Sequence, residues 1–308
     1  MQIISGTKEF HIETPCAVTI GKFDGIHCGH REILSRIVSK RENGMKSLVL
    51  TFDPSPLAFF SGSDSCLSTV EEKRKLFENN EIDILIEYPF DKATADMEAE
   101  DFARKVLLGQ INTRFFVAGE DLSFGKKGTG NADTLRSFQN EALKEGKASF
   151  EMEILPKLEI AGSPVSSSRI RECIAEGKME EAEVLIGFPY QIAGTIVHGN
   201  QIGRTIGIPT INQIPDSEKV LPPFGVYVSE VKVDGERYKA LTNIGVKPTV
   251  SNENKVCVET HIFDFEKDVY GNRAVVFLHH FLRPERKFKD VEELREQLQK
   301  DMKEARVE

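Results

Sequence analysis

The stretch Gly21-Lys22-Phe23-Asp24-Gly25-Ile26-His27-Cys28-Gly29-His30 constrains this chain most. Ahead of it lies an apolar, β-type run, Cys16-Ala17-Val18-Thr19-Ile20. Behind it the apolar pairs Ile33/Leu34 and Ile37/Val38 recur four residues apart, the spacing of one helix face. The order is therefore strand, glycine-rich turn, helix start. A helix start offers unpaired backbone N–H groups and the positive end of a dipole, which suits a phosphate. His27 and His30 add movable donors, and Gly29 leaves no side-chain wall. A nucleotide can then lie against the backbone with its phosphates near both histidines. The rival reading of His-x-x-His, with Cys28 between, is half a metal site; no second Cys/His pair at ligand spacing follows.

The alternation continues. Strands are expected over 45–51, 82–86, 113–117 and 150–154. Helices are expected from the cap signal Ser68-Thr69-Val70-Glu71-Glu72 to 79, over 98–108 and over 131–143. This spacing argues for a parallel sheet covered on both faces, with ligands beyond the carboxyl ends of its strands. The loops after residues 20, 51 and 117 all leave such ends. The second contains Asp53-Pro54-Ser55-Pro56, where the prolines fix a rigid path. The third runs from Gly119 to Gly130. Its Gly125-Lys126-Lys127 lacks Walker A spacing and reads as a cationic loop near an anion. Further on, Ser166-Ser167-Ser168-Arg169-Ile170-Arg171 opens a helix whose hydroxyls and Arg169 fork can donate to phosphate oxygens. A second helix is expected over 179–186.

After a linker at 185–190 the helical pattern stops. Short β-rich runs at 191–197, 225–233, 237–244, 255–263 and 273–282 suggest a small closed barrel. A last amphipathic helix over 291–306 carries Val291, Leu294, Leu298 and Met302 on one stripe. The loop containing Gly199, Gly203, Arg204 and Gly207 can wrap phosphates with backbone N–H groups. Thr210 and Asn212 stand two apart, on one side of an extended chain, and their neutral oxygens suit Mg²⁺ completed by nucleotide phosphates and water. Glu259 sits among apolar strand residues, where a carboxylate can act as a general base.

With 308 residues the chain is long enough for two domains, and its net charge of −9 argues against duplex DNA or an anionic membrane as main partner. Five cysteines without a Cys-x-x-Cys pair suggest free thiols in a reducing cytosol. No signal peptide or membrane-span pattern is read, so a cytoplasmic location is expected.

Taken together, these motifs carry a resemblance. His27-Cys28-Gly29-His30 with Ser166-Ser167-Ser168-Arg169 is similar to the nucleotidyltransferase superfamily. Gly21-Lys22-Phe23-Asp24-Gly25 and Gly119-Glu120-Asp121-Leu122-Ser123-Phe124-Gly125 resemble the adenylyltransferase module of bacterial bifunctional riboflavin kinase/FAD synthetases. The second half resembles the kinase module of that family in Gly203-Arg204-Thr205-Ile206-Gly207-Ile208-Pro209-Thr210-Ile211-Asn212, Asn243-Ile244-Gly245, Glu259 and Arg283-Pro284-Glu285. The resemblance implies a nucleotidyltransferase-like α/β domain over 1–186 and a riboflavin kinase-like barrel with a C-terminal helix over 187–308. It implies ATP, riboflavin, FMN and FAD as small-molecule substrates and products, with Mg²⁺ accompanying ATP and no nucleic acid or membrane partner; oligomeric state stays open.

By resemblance, Glu259 takes the proton of the ribityl hydroxyl, Thr210 and Asn212 hold Mg²⁺–nucleotide, and the glycine loop covers the phosphates. Asn243 and Arg283 join that site. His27, His30, Ser167, Ser168 and Arg169 stabilise triphosphate charge in the other half, helped by Gly21, Lys22, Phe23, Asp24 and Gly29. Asp121 and Phe124 lie near flavin. The chain departs from the common pattern at Lys22, where relatives carry Asn, at Ser55, where they carry His, and at Ile211, where they carry a small residue. Slower adenylyl transfer, or one leaning on Lys22, is the expected consequence of Ser55. The rival classes are an enzyme with one surviving activity, a flavin-binding regulator without turnover, and an HxGH aminoacyl-tRNA synthetase; the last lacks a place for the barrel.

Overall fold

A computed structural model describes every residue except 63–64, 145–149, 200–202, 204–206, 249–253 and 308. The chain packs into two units, Met1–Ser166 and Ser167–Glu308.

The first unit is built on six parallel strands: β1 (Gln2–Ser5), β2 (Ile12–Ile20), β3 (Lys46–Asp53), β4 (Ile84–Pro89), β5 (Ile111–Gly119) and β6 (Glu151–Leu155). Their spatial order is β1-β4-β3-β2-β5-β6. The connections hold α1 (Cys28–Ser39), α2 (Pro56–Ser61), α3 (Val70–Asn79), α4 (Lys92–Ala95), α5 (Ala99–Phe102) and α6 (Ala132–Lys144), and a short hairpin, β7 (Glu159–Ile160) with β8 (Ser163–Pro164), follows β6. Burial on both faces explains the near-continuous apolar strands. Cys16, Val18 and Ile20 of β2 share a core with Leu48, Ile86, Phe102, Phe116 and Leu135. Ala17 and Thr19 are also fully buried, on the opposite face. α1 packs on β2, β3 and β5 and buries Leu34 and Ile37.

α3 begins with reciprocal caps: the Thr69 hydroxyl accepts from Glu72 N–H at 3.3 Å, and the Glu72 carboxylate accepts from Thr69 N–H at 3.0 Å. The helix expected over 98–108 is α-helical only to Phe102 and continues as a π-helix over Ala103–Gln110. β1, α2 and α4 were not expected; four to six residues are too few to show a period. Strand order reverses at β2, with β3 on one side and β5 on the other. Such a switch point places the ligand crevice beyond the carboxyl ends of these strands.

The second unit opens with α7 (Ser167–Ala175) and α8 (Met179–Ile186), and α8 lies against β9 and β14 of the barrel that follows. Strands β9 (Tyr190–Val197), β10 (Ile211–Gln213), β11 (Gly225–Val233), β12 (Glu236–Pro248), β13 (Asn254–Ile262) and β14 (Arg273–Pro284) close antiparallel in the order β10-β13-β12-β11-β14-β9. Closure removes exposed sheet edges. The final helix, α9 (Val291–Val307), packs Leu298, Met302 and Ala305 against Val226, Val228, Leu241 and Phe263. Val291 is 58% exposed, so the apolar stripe starts later than its spacing suggested.

Candidate active sites

In the first unit the turn after β2 carries the two histidines. His27 is the N-cap of α1, and its Nδ1 accepts from the His30 N–H at 3.4 Å. That acceptor role puts the proton of the neutral ring on Nε2, leaving a donor for a ligand. The imidazoles of His27 and His30 stack at 3.7 Å and 16°, and His30 also leans on Phe23 at 5.1 Å. Burial pushes His27 down to about 4, against the pull of Asp24 and Asp121. Burial, reinforced by His27, holds His30 well below the ordinary histidine range. Both rings are therefore neutral donors at physiological pH. His30 Nδ1 is buried and has no hydrogen-bond partner among the described residues.

The turn is held in an unusual backbone. Phe23 (φ +50°) and Ile26 (φ +41°) adopt left-handed conformations although neither is glycine. Such residues cost about 1–3 kcal/mol each and persist where neighbours over-determine them. Here the neighbours are identifiable. Phe23 and Ile26 are buried, and the buried Asp24 carboxylate accepts from Leu67 N–H (2.8 Å) and Ser68 N–H (3.3 Å). Gly25 combines φ +82° with a Leu67 methyl 3.0 Å from where a Cβ would stand. Gly21 continues the β2–β3 ladder by donating to Leu50 O, and Lys22 is half-buried. Gly29 differs: its backbone is ordinary, and a Cβ would meet His27 ring atoms at 3.4 Å, an acceptable contact. The fold itself does not require glycine there.

The loop after β5 separates its expected residues. Asp121 is exposed and pairs with Lys157 at 3.4 Å. Phe124 is buried, bridged to Gly130 and packed 6.0 Å from Phe102 in the core. Lys126 pairs with Glu98 at 2.9 Å. After β3, the Ser55 hydroxyl accepts from Ala58 N–H at 3.1 Å and caps α2. That cap presents Phe59 and Phe60, which with Phe52 and Phe90 form an edge-to-face group at centroid distances of 5.2–6.0 Å. Phe60 is 72% exposed. This aromatic ledge at the carboxyl ends of β3 and β4 was missed; the signal was a Phe-Phe pair behind a proline-rich strand end.

In the second unit Ser167, Ser168 and Arg169 form the first turn of α7. On the barrel, antiparallel pairing sets Asn212 of β10 opposite Glu259 of β13, and Glu259 opposite Asn243 of β12. Opposed residues share a face, so one carboxylate stands between two carboxamides. Asn243 donates to Glu285 at 3.1 Å, and a Cβ on Gly245 would be 2.0 Å from that same exposed carboxylate, which would have to swing aside. A Cβ on Gly199 would lie 2.5 Å from Asn212 Nδ2, so the buried carboxamide would have to shift to admit it. The Gly203 carbonyl accepts from Ile208 N–H at 2.8 Å, and Gly207 turns at φ +76°. Arg204 lies outside the described residues.

Thr210 lines a cavity of about 350 Å³ with Ile211, Thr260, Val269 and Tyr270. Tyr270 in turn stacks on His198 at 3.8 Å, beside the glycine loop. Arg283, expected at the nucleotide, grips Asp301 of α9. Its Nη2 lies 2.7 Å and its Nε 3.0 Å from Oδ2, and Gln297 adds a 2.7 Å bond to Oδ1. Asp301 is buried, so the pair anchors the final helix. Among the described residues no three His, Cys, Asp or Glu side chains converge to hold a metal ion.

The profile of the FAD synthetase family matches residues 9–169, and that of the riboflavin kinase family matches residues 186–307. The bifunctional riboflavin kinase/FMN adenylyltransferase of Listeria monocytogenes is 33% identical over 294 residues, covering 94% of this chain and 91% of that one. The chain belongs to this bifunctional family. The protein of the same description from Pseudomonas fluorescens is 32% identical over 310 residues, covering 100% of this chain and 97% of that one. A crystal structure described as a macrolide-efflux protein from Streptococcus pneumoniae has a TM-score of 0.86 at 29% identity, covering 99% of this chain and 98% of that one. Among the described residues of this family member, no helix is long and apolar enough to cross a membrane.

Proposed function

We propose that the chain makes FMN from riboflavin at the barrel and FAD from FMN at the parallel-sheet unit, using ATP in both steps. The observation that carries this reading is that the two family profiles lie end to end on one chain, each over its own set of site residues. In the kinase step Glu259 accepts the proton of the ribityl 5′-hydroxyl as its oxygen attacks the γ-phosphorus of ATP, and ADP leaves. The flanking Asn212 and Asn243 fix the carboxylate's surroundings. Thr210 and Asn212 offer neutral oxygens, a donor set that fits Mg²⁺ arriving with a nucleotide whose phosphates supply the charge. The cavity beside Thr210 is of a size that takes a nucleobase. Catalysis of this kind rests on positioning and charge stabilisation.

In the second step an FMN phosphate oxygen attacks the α-phosphorus of ATP, and pyrophosphate leaves. The attacking phosphate is ionised near neutral pH, so no base is needed. His27 Nε2–H and His30 donate to the triphosphate as neutral groups. Ser168 and Arg169 fall within the FAD synthetase profile, which reaches as far as Arg169. The exposed ledge of Phe59, Phe60 and Phe90 supports a seat for the isoalloxazine ring, with edge-to-face contacts as available chemistry. Phe124, packed into the core, shapes that loop from beneath. The enzyme works in the cytoplasm on small molecules. Timed chromatography of riboflavin with Mg-ATP tests the reading: FMN should rise first and FAD follow with stoichiometric pyrophosphate. Accumulation of FMN alone, or no turnover, contradicts it.

A further inference from the structure

Two side chains outside the expected set hold the Thr210–Asn212 pair. β10 is only three residues long, and Pro209 and Thr210 precede it outside any strand. They need another source of order. On β13, Val258, Thr260 and Ile262 are buried in the barrel, while Cys257, Glu259 and His261 alternate onto the other face and are half-buried. Glu259 stands opposite Asn212. Its two neighbours on that row reach the ends of the 209–212 segment.

At one end His261 Nδ1 lies 2.8 Å from the carbonyl oxygen of Pro209. A carbonyl only accepts, so Nδ1 carries the proton. Burial holds this imidazole below the ordinary histidine range, opposed by the Pro209 hydrogen bond and by Asp264, and reinforced by Arg306. The ring is thus a neutral, single-tautomer donor. At the other end the Cys257 thiol donates to Asn212 Oδ1 at 3.5 Å. The amide's opposite side lies over Gly199, where a Cβ would come within 2.5–2.7 Å of the amide atoms. The Asn212 carboxamide is therefore sandwiched, and its oxygen keeps a second lone pair for another partner.

We propose that His261 and Cys257 are positioning residues of the kinase site. His261 fixes the Pro209 peptide and with it the direction in which Thr210 presents its hydroxyl. Cys257 fixes the rotation of the Asn212 amide. Together they set the spacing of the two neutral oxygens that meet metal-bound triphosphate. Neither touches nucleotide or flavin. This rests on the reading of Thr210 and Asn212 as the Mg²⁺–nucleotide pair.

The test uses isosteres in the full-length protein. Asn places its Nδ2 where histidine has Nδ1; Gln places its amide nitrogen where histidine has Nε2. H261N should therefore keep a KM for Mg-ATP within about twofold of wild type, while H261Q raises it about tenfold, the upper range for losing one hydrogen bond. C257S should stay near wild type, and C257A should raise the same KM about threefold. KM for riboflavin should not move. FAD formation from FMN on the same preparations, together with melting curves, controls for folding. Equal Mg-ATP KM values for H261N and H261Q, or a matching rise in riboflavin KM, overturn the proposal. T210A separates the two levels. If T210A leaves the Mg-ATP KM unchanged, the reading of Thr210 has failed. If T210A raises it while H261Q and C257A do not, the positioning role alone has failed.

Discussion

Replacing Gly29 by Ala should move stability and activity in opposite directions. Gly29 is the second residue of α1, with ordinary helical backbone. A Cβ there would stand 3.4 Å from two His27 ring atoms and 3.8 Å from Leu158 Cβ, so the folded protein has room for it. Alanine is about 0.5–1 kcal/mol more favourable than glycine inside a helix. G29A should therefore stabilise the first unit by up to about 1 kcal/mol, raising its Tm by about 2–4 °C. In the proposed nucleotide complex the same methyl would stand where the triphosphate is expected to approach the backbone. Forcing a methyl into a packed contact costs about 1–3 kcal/mol, or roughly 5- to 150-fold in kcat/KM for ATP. Differential scanning fluorimetry reads the first effect, and chromatographic FAD formation from FMN reads the second. Riboflavin phosphorylation should be unchanged. A fall in Tm would show that the fold demands the glycine, and an unchanged kcat/KM would show that no ligand lies against it; either result refutes the reasoning.

Other outcomes are expected from the same geometry. The folded pKa of His27 is depressed to about 4, so its stabilising contribution is complete above the unfolded value of 6.5 and is lost as pH falls through the folded one. For His27 alone that is about 3 kcal/mol; urea titrations between pH 7 and 4 should show the loss, and H27Q should flatten it. R283A strands a buried Asp301 carboxylate and should destabilise the second unit by about 3–5 kcal/mol in urea unfolding. The paired change R283M/D301L should recover most of that and keep riboflavin phosphorylation; a folded but inactive pair would return Arg283 to the nucleotide. F60A should raise KM for FMN by about 2- to 10-fold, as expected for one lost aromatic contact, with melting unchanged.

Much of this was legible in the chain because its cues are local. The strand–turn–helix at 16–38 shows in apolar spacing, and the cap signal at 68–72 resolved to Thr69 and Glu72. Thr210 and Asn212 share a side by their spacing alone. What stayed hidden depends on non-local pairing. That Asn212, Glu259 and Asn243 form one row follows from the register of three strands far apart in sequence. Phe124 carries no mark that it turns into the core onto Phe102. Arg283 sits beside a family signature, yet its partner Asp301 lies 18 residues on, across a helix. That a side chain at 199 or 245 would meet Asn212 or Glu285 is likewise a non-local fact, which no local pattern encodes.

Separate pairs of nucleotide and flavin sites on one chain are tested most directly by splitting the two reactions. H30A and E259A should be purified, shown to melt like wild type, and given riboflavin and Mg-ATP, then FMN and Mg-ATP. H30A should make FMN at the wild-type rate and lose FAD formation by about 10²-fold or more, the scale for removing one charge-stabilising donor. E259A should fail to phosphorylate riboflavin yet still convert supplied FMN to FAD. Loss of both activities in both folded variants would contradict the division into two sites.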